Sequence, residues 1–263
     1  TKYLEKCIDC PLLHRKRDML FCKFQFEEKY RIFSKYSNLK IIAPSTWLFH
    51  LASTSLLFKN KQLIHIPNLC DINIFKPMGK GWAKRLFNLS ESKKLILFGA
   101  ATGGMGNIYK GWEYLQKAIL HLSTSSYEAV IFGEYNKTVE KQLPIKCNFI
   151  GKLYDEYSLS VLYNAADVFV TPSLADNFPN TILESLSCGT PVVAFNVGGI
   201  PDLIMHKSNG YLAHYKDCED LKKGIEWCVS QYSIQEVCRS SIIKKYSPSL
   251  IIEKHKKLMY GKI

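Results

Sequence analysis

Residues 168–195 read VFVTPSLADNFPNTILESLSCGTPVVAF, and this stretch decides the fold. A short β-rich apolar run at 168–171 leads into a loop. A helical segment with apolar Ile182, Leu183 and Leu186 follows, stops at Gly189, and gives way to a second apolar run at 192–195. Strand, helix and strand in this order make a βαβ unit, whose two strands lie parallel and whose crossover is right-handed.

The same alternation extends in both directions. Further strands are expected at residues 95–98, 129–132, 148–150 and, more weakly, 210–213, with helices near 112–122, 135–142, 157–164, 179–187 and 201–206 and a helical C-terminal stretch. Six such strands make one α/β domain, a Rossmann-like doubly wound parallel sheet covered by helices on both faces. Upstream, residues 39–43 and 63–66 look like two more strands flanking a helix that starts after Pro44-Ser45-Thr46. They are too few to bury a core alone and read as the last βαβ piece of a preceding α/β domain. The expected division is 1–75 for this piece and its linker, 76–245 for the Rossmann domain, and 246–263 for a final helix packing back toward the N-terminal piece.

The chain has 263 residues, 47% of them hydrophobic, which suffices for one good core but not for two full domains. It begins at Thr1 within polar, Cys-containing sequence, so an upstream portion is expected to be missing. No apolar run approaches the roughly 18 residues of a membrane span, and no secretory pattern opens the chain. Lys and Arg exceed Asp and Glu by 12, with the excess gathered at the two ends. That excess favours anionic partners, or is a solvated basic face. No RNP-like or helix-turn-helix pattern supports nucleic acid. Nine cysteines, an odd number scattered through apolar elements, fit a reduced, cytoplasmic protein. Cys7 and Cys10, with His14 and Cys22 nearby, have metal-ligand spacing but lack a second close Cys pair, so ordinary thiols are the preferred reading over a structural zinc.

In an open parallel sheet, ligands bind beyond the carboxyl ends of the strands. Two loops there carry chemistry. Residues 99–111, GAATGGMGNIYKG, include Gly99, Gly103 and Gly104, whose backbone amides can approach an anion, and Lys110, which can place a point charge on a phosphate. A flexible loop with a solvated lysine is the plain alternative, because the stretch matches neither the dinucleotide fingerprint nor the Walker loop. The second loop leads into a helix. Pro179 fits a first helical position, Asn177 or Phe178 lies at the cap, and the amides of Asn180 and Thr181 point out of the helix end, where an anion is favoured. Asp176 sits above that end and Glu184 about one turn below it, one placed for a sugar ring and one for a ribose. The alternative is a loop cap and a solvated helix residue. The buried layer implied by Leu183, Leu186, Val192 and Val193 argues against it, since a carboxylate emerging from such packing has a partner.

PSLADNFPNTILESLSCGTPVVAFNVGGIPDLI, with NAADVFVTPS and FIGKLYDEYS upstream of it, resembles the retaining family 4, or group 1, glycosyltransferases, which have two facing Rossmann domains (the GT-B fold). The resemblance covers most of residues 67–262 and makes this chain the C-terminal, donor-binding half, with residues 1–68 similar to the end of the acceptor domain. It implies transfer of a sugar from a nucleoside diphosphate sugar to a glycan or lipid-linked acceptor, with no metal and no other cofactor, as in capsule, lipopolysaccharide and exopolysaccharide synthesis. The chain alone is then expected to be inactive, and its protein to be cytoplasmic with peripheral contact at the inner membrane face.

By the same resemblance Glu184 binds ribose, Asp176 and the backbone of Asn177, Phe178, Pro179 and Asn180 bind the transferred sugar, Thr181 binds the diphosphate, and Lys110 is the phosphate lysine. Two departures stand out. Asp176 replaces the first glutamate of the family's two-glutamate motif, and no arginine accompanies Lys110 within residues 101–107. Residues 151–153 are candidates for backbone contact with the base, and the same loop also reads as an ordinary turn. A nucleotide-sugar epimerase, a phosphorylase and a non-catalytic donor-binding module remain alternatives.

Overall fold

The computed structural model describes residues 4, 16–100, 108–134 and 143–261. They fall into two compact units, Thr1–Pro67 and Asn68–Ile263. In the first, helix α1 (Lys16–Ser34) precedes the parallel strands β1 (Lys40–Ala43) and β2 (Gln62–His65), which are joined through helix α2 (Thr46–Thr54). Ser45 fixes the start of α2, its hydroxyl accepting from the Leu48 amide at 3.0 Å, which satisfies one of the helix's orphan donors. Helix α1 was not anticipated. Its apolar residues do not make a clean stripe, since Phe26 is buried while Leu20, Phe21 and Phe24 are exposed, and without a stripe the helical period is hard to read.

The second unit contains helix α3 (Lys80–Leu86), strand β3 (Lys94–Ala100), helix α4 (Trp112–Ile119), strands β4 (Tyr127–Gly133) and β5 (Cys147–Gly151), and helix α5 (Glu156–Ala165). Strand β6 (Val168–Thr171), helix α6 (Asn180–Ser187) and strands β7 (Val192–Phe195) and β8 (Gly210–Ala213) follow, and helices α7 (Cys218–Ser230), α8 (Ile234–Tyr246) and α9 (Pro248–Tyr260) close the chain. The six strands are all parallel, in the order β5-β4-β3-β6-β7-β8. This is the doubly wound sheet expected from the alternation of runs. The winding reverses between β3 and β6, so the loops that leave these neighbouring strands diverge and open a crevice.

Side chains alternate across the sheet and supply two cores. Leu95, Leu97 and Phe169 join Tyr163 of α5 and Leu183 of α6 on one face, whereas Ile96, Phe98, Val168 and Val170 join Trp112 of α4 and Ile225 of α7 on the other. Each such side chain, fully buried, contributes about 1.5–3 kcal/mol.

Two helices depart from expectation. Residues 201–206 do not form an α-helix but a short 3-10 turn, Ile200–Asp202. The Asn209 side chain is the reason: it accepts from the Met205 amide at 2.7 Å and donates to the Leu203 carbonyl at 3.1 Å, occupying groups a continuing helix would need. Helix α3 forms beyond the presumed linker. The helix expected at 135–142 lies outside the described residues.

At the amino edge of the sheet, Asp167 fastens three elements together. Its carboxylate accepts from Lys80 at 3.0 Å, from Lys84 at 3.2 Å and from the Leu95 amide at 2.9 Å. Burial pushes this carboxyl up, but Lys80, the Leu95 amide and Lys84 outweigh it and hold it below the ordinary range. The Lys84 side chain is only 6% exposed. Asp167→Asn therefore leaves a buried cation without its counter-charge and is expected to cost about 3 kcal/mol in urea unfolding at neutral pH. Because the folded pKa is depressed, wild-type stabilisation from this group is present above about pH 4 and lost as pH falls through the folded value. The variant should lack that part of the acid sensitivity; an unchanged urea midpoint and acid profile would refute the assignment.

Candidate active site

The crevice at the β3–β6 switch is built by loops that brace one another. After β3, residues 101–107, which include Gly103 and Gly104, lie outside the described residues. The chain continues as a 3-10 turn, Ile108–Lys110. Gly111 follows in the left-handed region, at φ 66°, with its α-carbon so close to the Pro172 carbonyl that a side chain would collide with it. The Leu174 amide donates to the Tyr109 carbonyl at 2.8 Å. The lysine turn and the loop after β6 are thereby zipped together, and the Lys110 ammonium stands 3.6 Å from an Asp176 carboxylate oxygen.

The other flank of the Asp176 loop is held by the turn after β7. Gly198, at φ 60°, has no room for a side chain against the Asp176 carbonyl, and that carbonyl accepts from the Gly199 amide at 3.1 Å. Asp176 is thus fixed through its backbone, and its half-buried side chain points toward Lys110.

Helix α6 starts one residue later than expected. Pro179 is the N-cap, with φ −70° and ψ 115°, and Asn180 is the first helical residue. A proline ring fixes φ but not ψ, so the sequence alone fits either position. No side chain caps this end, leaving its amides and the helix dipole as an anion-binding element. Phe178 is buried with its ring 5.6 Å from that of Tyr246, so its side chain anchors the loop and its backbone is what a ligand can meet. Thr181 lines a cleft of about 80 Å³ together with Gly99, Lys110, Phe132 and Thr171. Asn180 accepts from the Asn68 side chain at 2.9 Å.

Glu184 lies one turn further along α6 and lines a second cleft of about 140 Å³ with Leu69, Asp71, Glu156 and Asn180. The first turn of α6 contributes Thr181 to the first cleft and Asn180 to the second. The Tyr163 hydroxyl donates to Glu184 Oε2 at 3.1 Å. Burial pushes the Glu184 carboxyl up to about 7; the Tyr163 hydrogen bond works against this shift, and the negative charge of Glu156 adds to it. A larger cleft of about 310 Å³ occupies the opposite edge of the sheet, beside Lys80, Lys94 and Asp167, and holds none of the candidate residues.

Sequence reading did not single out Tyr163, Glu156 or Asn68. Tyr163 reads as one more apolar position of α5; the only hint is that a buried phenol needs a partner, and its partner is 21 residues away. Beyond β5, the Lys152 ammonium pairs with Glu134 at 3.2 Å, joining the ends of β4 and β5 beside the residues considered for base contact. Cys7, Cys10 and His14 lie outside the described residues, and Cys22 is a half-buried thiol on α1. Among the described residues no group of three or more His, Cys, Asp or Glu is placed to hold a metal ion, and no helix is long and apolar enough to cross a membrane.

Known proteins similar to this chain include glycosyltransferases. An uncharacterised glycosyltransferase of Methanocaldococcus jannaschii is 30% identical over 176 residues, covering 62% of this chain and 44% of that protein. Protein CapJ of Staphylococcus aureus is 29% identical over 158 residues, covering 57% of this chain and 37% of that one. The chain thus spans less than half the length of these two relatives. The solved structure of Anabaena HepE in complex with UDP-glucose is similar with a TM-score of 0.73 at 18% identity, over 95% of this chain and 69% of that one. At that identity the likeness establishes a shared fold, here that of the GT-B glycosyltransferases. Residues 96–231, more than half of the chain, match the family described as glycosyl transferases group 1, and on that match the chain belongs to the group 1 glycosyltransferases.

Proposed function

We propose that this chain carries the donor site of an enzyme that transfers a sugar from a nucleoside diphosphate sugar to a glycan or lipid-linked acceptor, with retention of configuration and without a bound metal. The observation that carries this reading is that Lys110, beside the topological switch point, pairs with Asp176 and shares one cleft with Thr181 of α6, while Asn180 and Glu184 of the same helix line a second.

The roles follow from charge and position. As the bond from the anomeric carbon to the diphosphate oxygen breaks, negative charge grows on the departing diphosphate. The α6 amides, with Thr181, and the Lys110 ammonium are fixed groups that offset it. Asp176 takes the transferred sugar. Being one methylene shorter than glutamate it reaches less far, and its ion pair with Lys110 must open so that the lysine can turn to phosphate and the carboxylate to sugar hydroxyls. Glu184 accepts hydrogen bonds from the ribose. No cation occurs within residues 101–107, so Lys110 and the helix end carry more of the leaving-group charge than a lysine and arginine pair would share.

The relative named CapJ and the UDP-glucose complex of HepE support a role in surface polysaccharide synthesis with a UDP-type donor. The exposed Lys254, Lys256 and Lys257 on α9 support cytoplasmic placement with peripheral contact at an anionic membrane face. A second reading, a donor-binding module without catalysis, is favoured by the lack of an arginine within residues 101–107 to accompany Lys110. An epimerase is the third, and it would convert donor with no acceptor present.

Glu184→Ala is expected to weaken binding of a nucleoside diphosphate roughly ten- to hundredfold by calorimetry, through lost hydrogen bonds to a charged group; undiminished affinity would remove the ribose assignment. Lys110→Met is expected to reduce transfer, in a protein that transfers, by a factor on the order of 10²–10³ while changing nucleoside affinity little. Loss of donor binding with no change in turnover would contradict its leaving-group role. Transfer should proceed unchanged in EDTA, and the product's anomeric coupling in NMR should match that of the donor; an inverted product would overturn retention.

A further inference from the structure

The Tyr163 hydroxyl has a fixed place. Its residue is fully buried, its ring makes edge contacts with Phe75, Phe132 and Phe169 at centroid separations of 6.3, 6.3 and 5.4 Å, and its backbone carbonyl accepts from Thr190 at 2.8 Å. The core therefore sets where the hydroxyl sits, independently of any ligand. From there it reaches out of the core to Glu184 Oε2 at 3.1 Å, at the wall of the 140 Å³ cleft. Among the described residues no cation pairs with Glu184, so this hydroxyl is the group that restrains the carboxylate.

We propose that Tyr163 is a positioning residue of the donor site: its hydroxyl holds Glu184 through Oε2 so that the remaining carboxylate lone pairs meet the two ribose hydroxyls. This rests on the reading of Glu184 as the ribose ligand. An ionised carboxylate offers about four acceptor positions; Tyr163 takes one and a ribose diol takes two. A carboxylate already aimed loses less rotational freedom when the ribose arrives.

The same hydrogen bond acts on the proton. Glu184 must be ionised to accept from both ribose hydroxyls, whereas its burial and the charge of Glu156 favour the protonated acid. The groups that face Glu184 are Tyr163 and Glu156 of α5, Cys70 and Asp71 of the segment before α3, and Cys188 at the end of α6. Burial pushes both thiols up to about 12, so they stay neutral near pH 7. The fixed charges of the cleft wall are then carboxylates, and Tyr163 is the donor that opposes them. Removing its hydroxyl should raise the pH at which ribose binding sets in, and removing the Glu156 charge should lower it.

Calorimetric titration of the chain with UDP, and with GDP and ADP in parallel so that the tightest is used, separates these effects between about pH 6 and 8.5. Glu184→Gln serves as the reference, because protonation of the nucleotide's own phosphate is common to every variant. Tyr163→Phe, which keeps the ring and its packing, is expected to weaken binding about tenfold at pH 7 and to move the pH midpoint up by about one unit. Glu156→Gln, an exposed change that leaves the core untouched, should move the midpoint down. In the Glu184→Gln background, Tyr163→Phe should have no further effect, and the 2′-deoxynucleotide should lose less to Tyr163→Phe than the ribonucleotide does. A Tyr163→Phe protein with wild-type affinity and midpoint, one equally weakened without Glu184, or a midpoint unmoved by Glu156→Gln overturns the proposal while leaving the ribose reading intact. Wild-type binding by Glu184→Gln, or no binding of any of the three nucleotides, instead defeats the ribose reading itself.

Discussion

Parallel pairing of β3 with β6 is the constraint on which the rest of the second unit depends. Ile96, Leu97 and Phe98 lie opposite Val168, Phe169 and Val170, although some 70 residues separate the two strands in sequence. Pairing at this register buries one layer of side chains against α5 and α6 and the other against α4 and α7. It also ends both strands at the same level, with their connections running to opposite faces. The crevice between those connections is a consequence of the winding and needs no separate cause.

Within the crevice, backbone contacts impose the precision and side chains supply the charge. Gly111 lies against the Pro172 carbonyl and Gly198 against that of Asp176, so the loop between these carbonyls is braced from both sides. The Lys110 and Asp176 charges are thereby held in one geometry and partly neutralise one another. Such a pair is poised for exchange, because both partners remain partly exposed and, among the described residues, neither is bound to another ion. Glu184 is different. It is half-buried at a cleft wall, has among the described residues a phenol and no cation paired with it, and burial is the largest influence raising its proton affinity.

The two ends of the sheet use charge in opposite ways. At the amino edge, Asp167 is satisfied by two lysines and an amide and binds elements together. At the carboxyl edge, among the described residues, no side chain caps the start of α6, Asp176 pairs with one lysine and Glu184 with a phenol. Charges that are satisfied internally hold a fold; those that are not are available to a ligand.

The runs at 168–171 and 192–195 could be read to the residue because their β-branched and aromatic side chains are bounded by proline or loop residues, whereas 210–213, with only Tyr211 of that kind, gave a weaker signal at the same bounds. The helical period of 157–164 and 179–187 was equally plain. The turn at 200–206 was not, since the Asn209 side chain that ends it acts across a loop. For the candidate site, the sequence by itself determined which chemical groups the two loops carry: a lysine behind glycines, and two carboxylates spaced around a helix start. Only the tertiary structure decided that Lys110 and Asp176 face each other, that Pro179 caps the helix instead of beginning it, and that Tyr163 reaches Glu184. The physical reason is range. Local pattern fixes backbone conformation and the direction of a side chain along its own element, whereas a hydrogen bond or ion pair between elements depends on how sheet register and helix packing bring distant residues within about 3 Å.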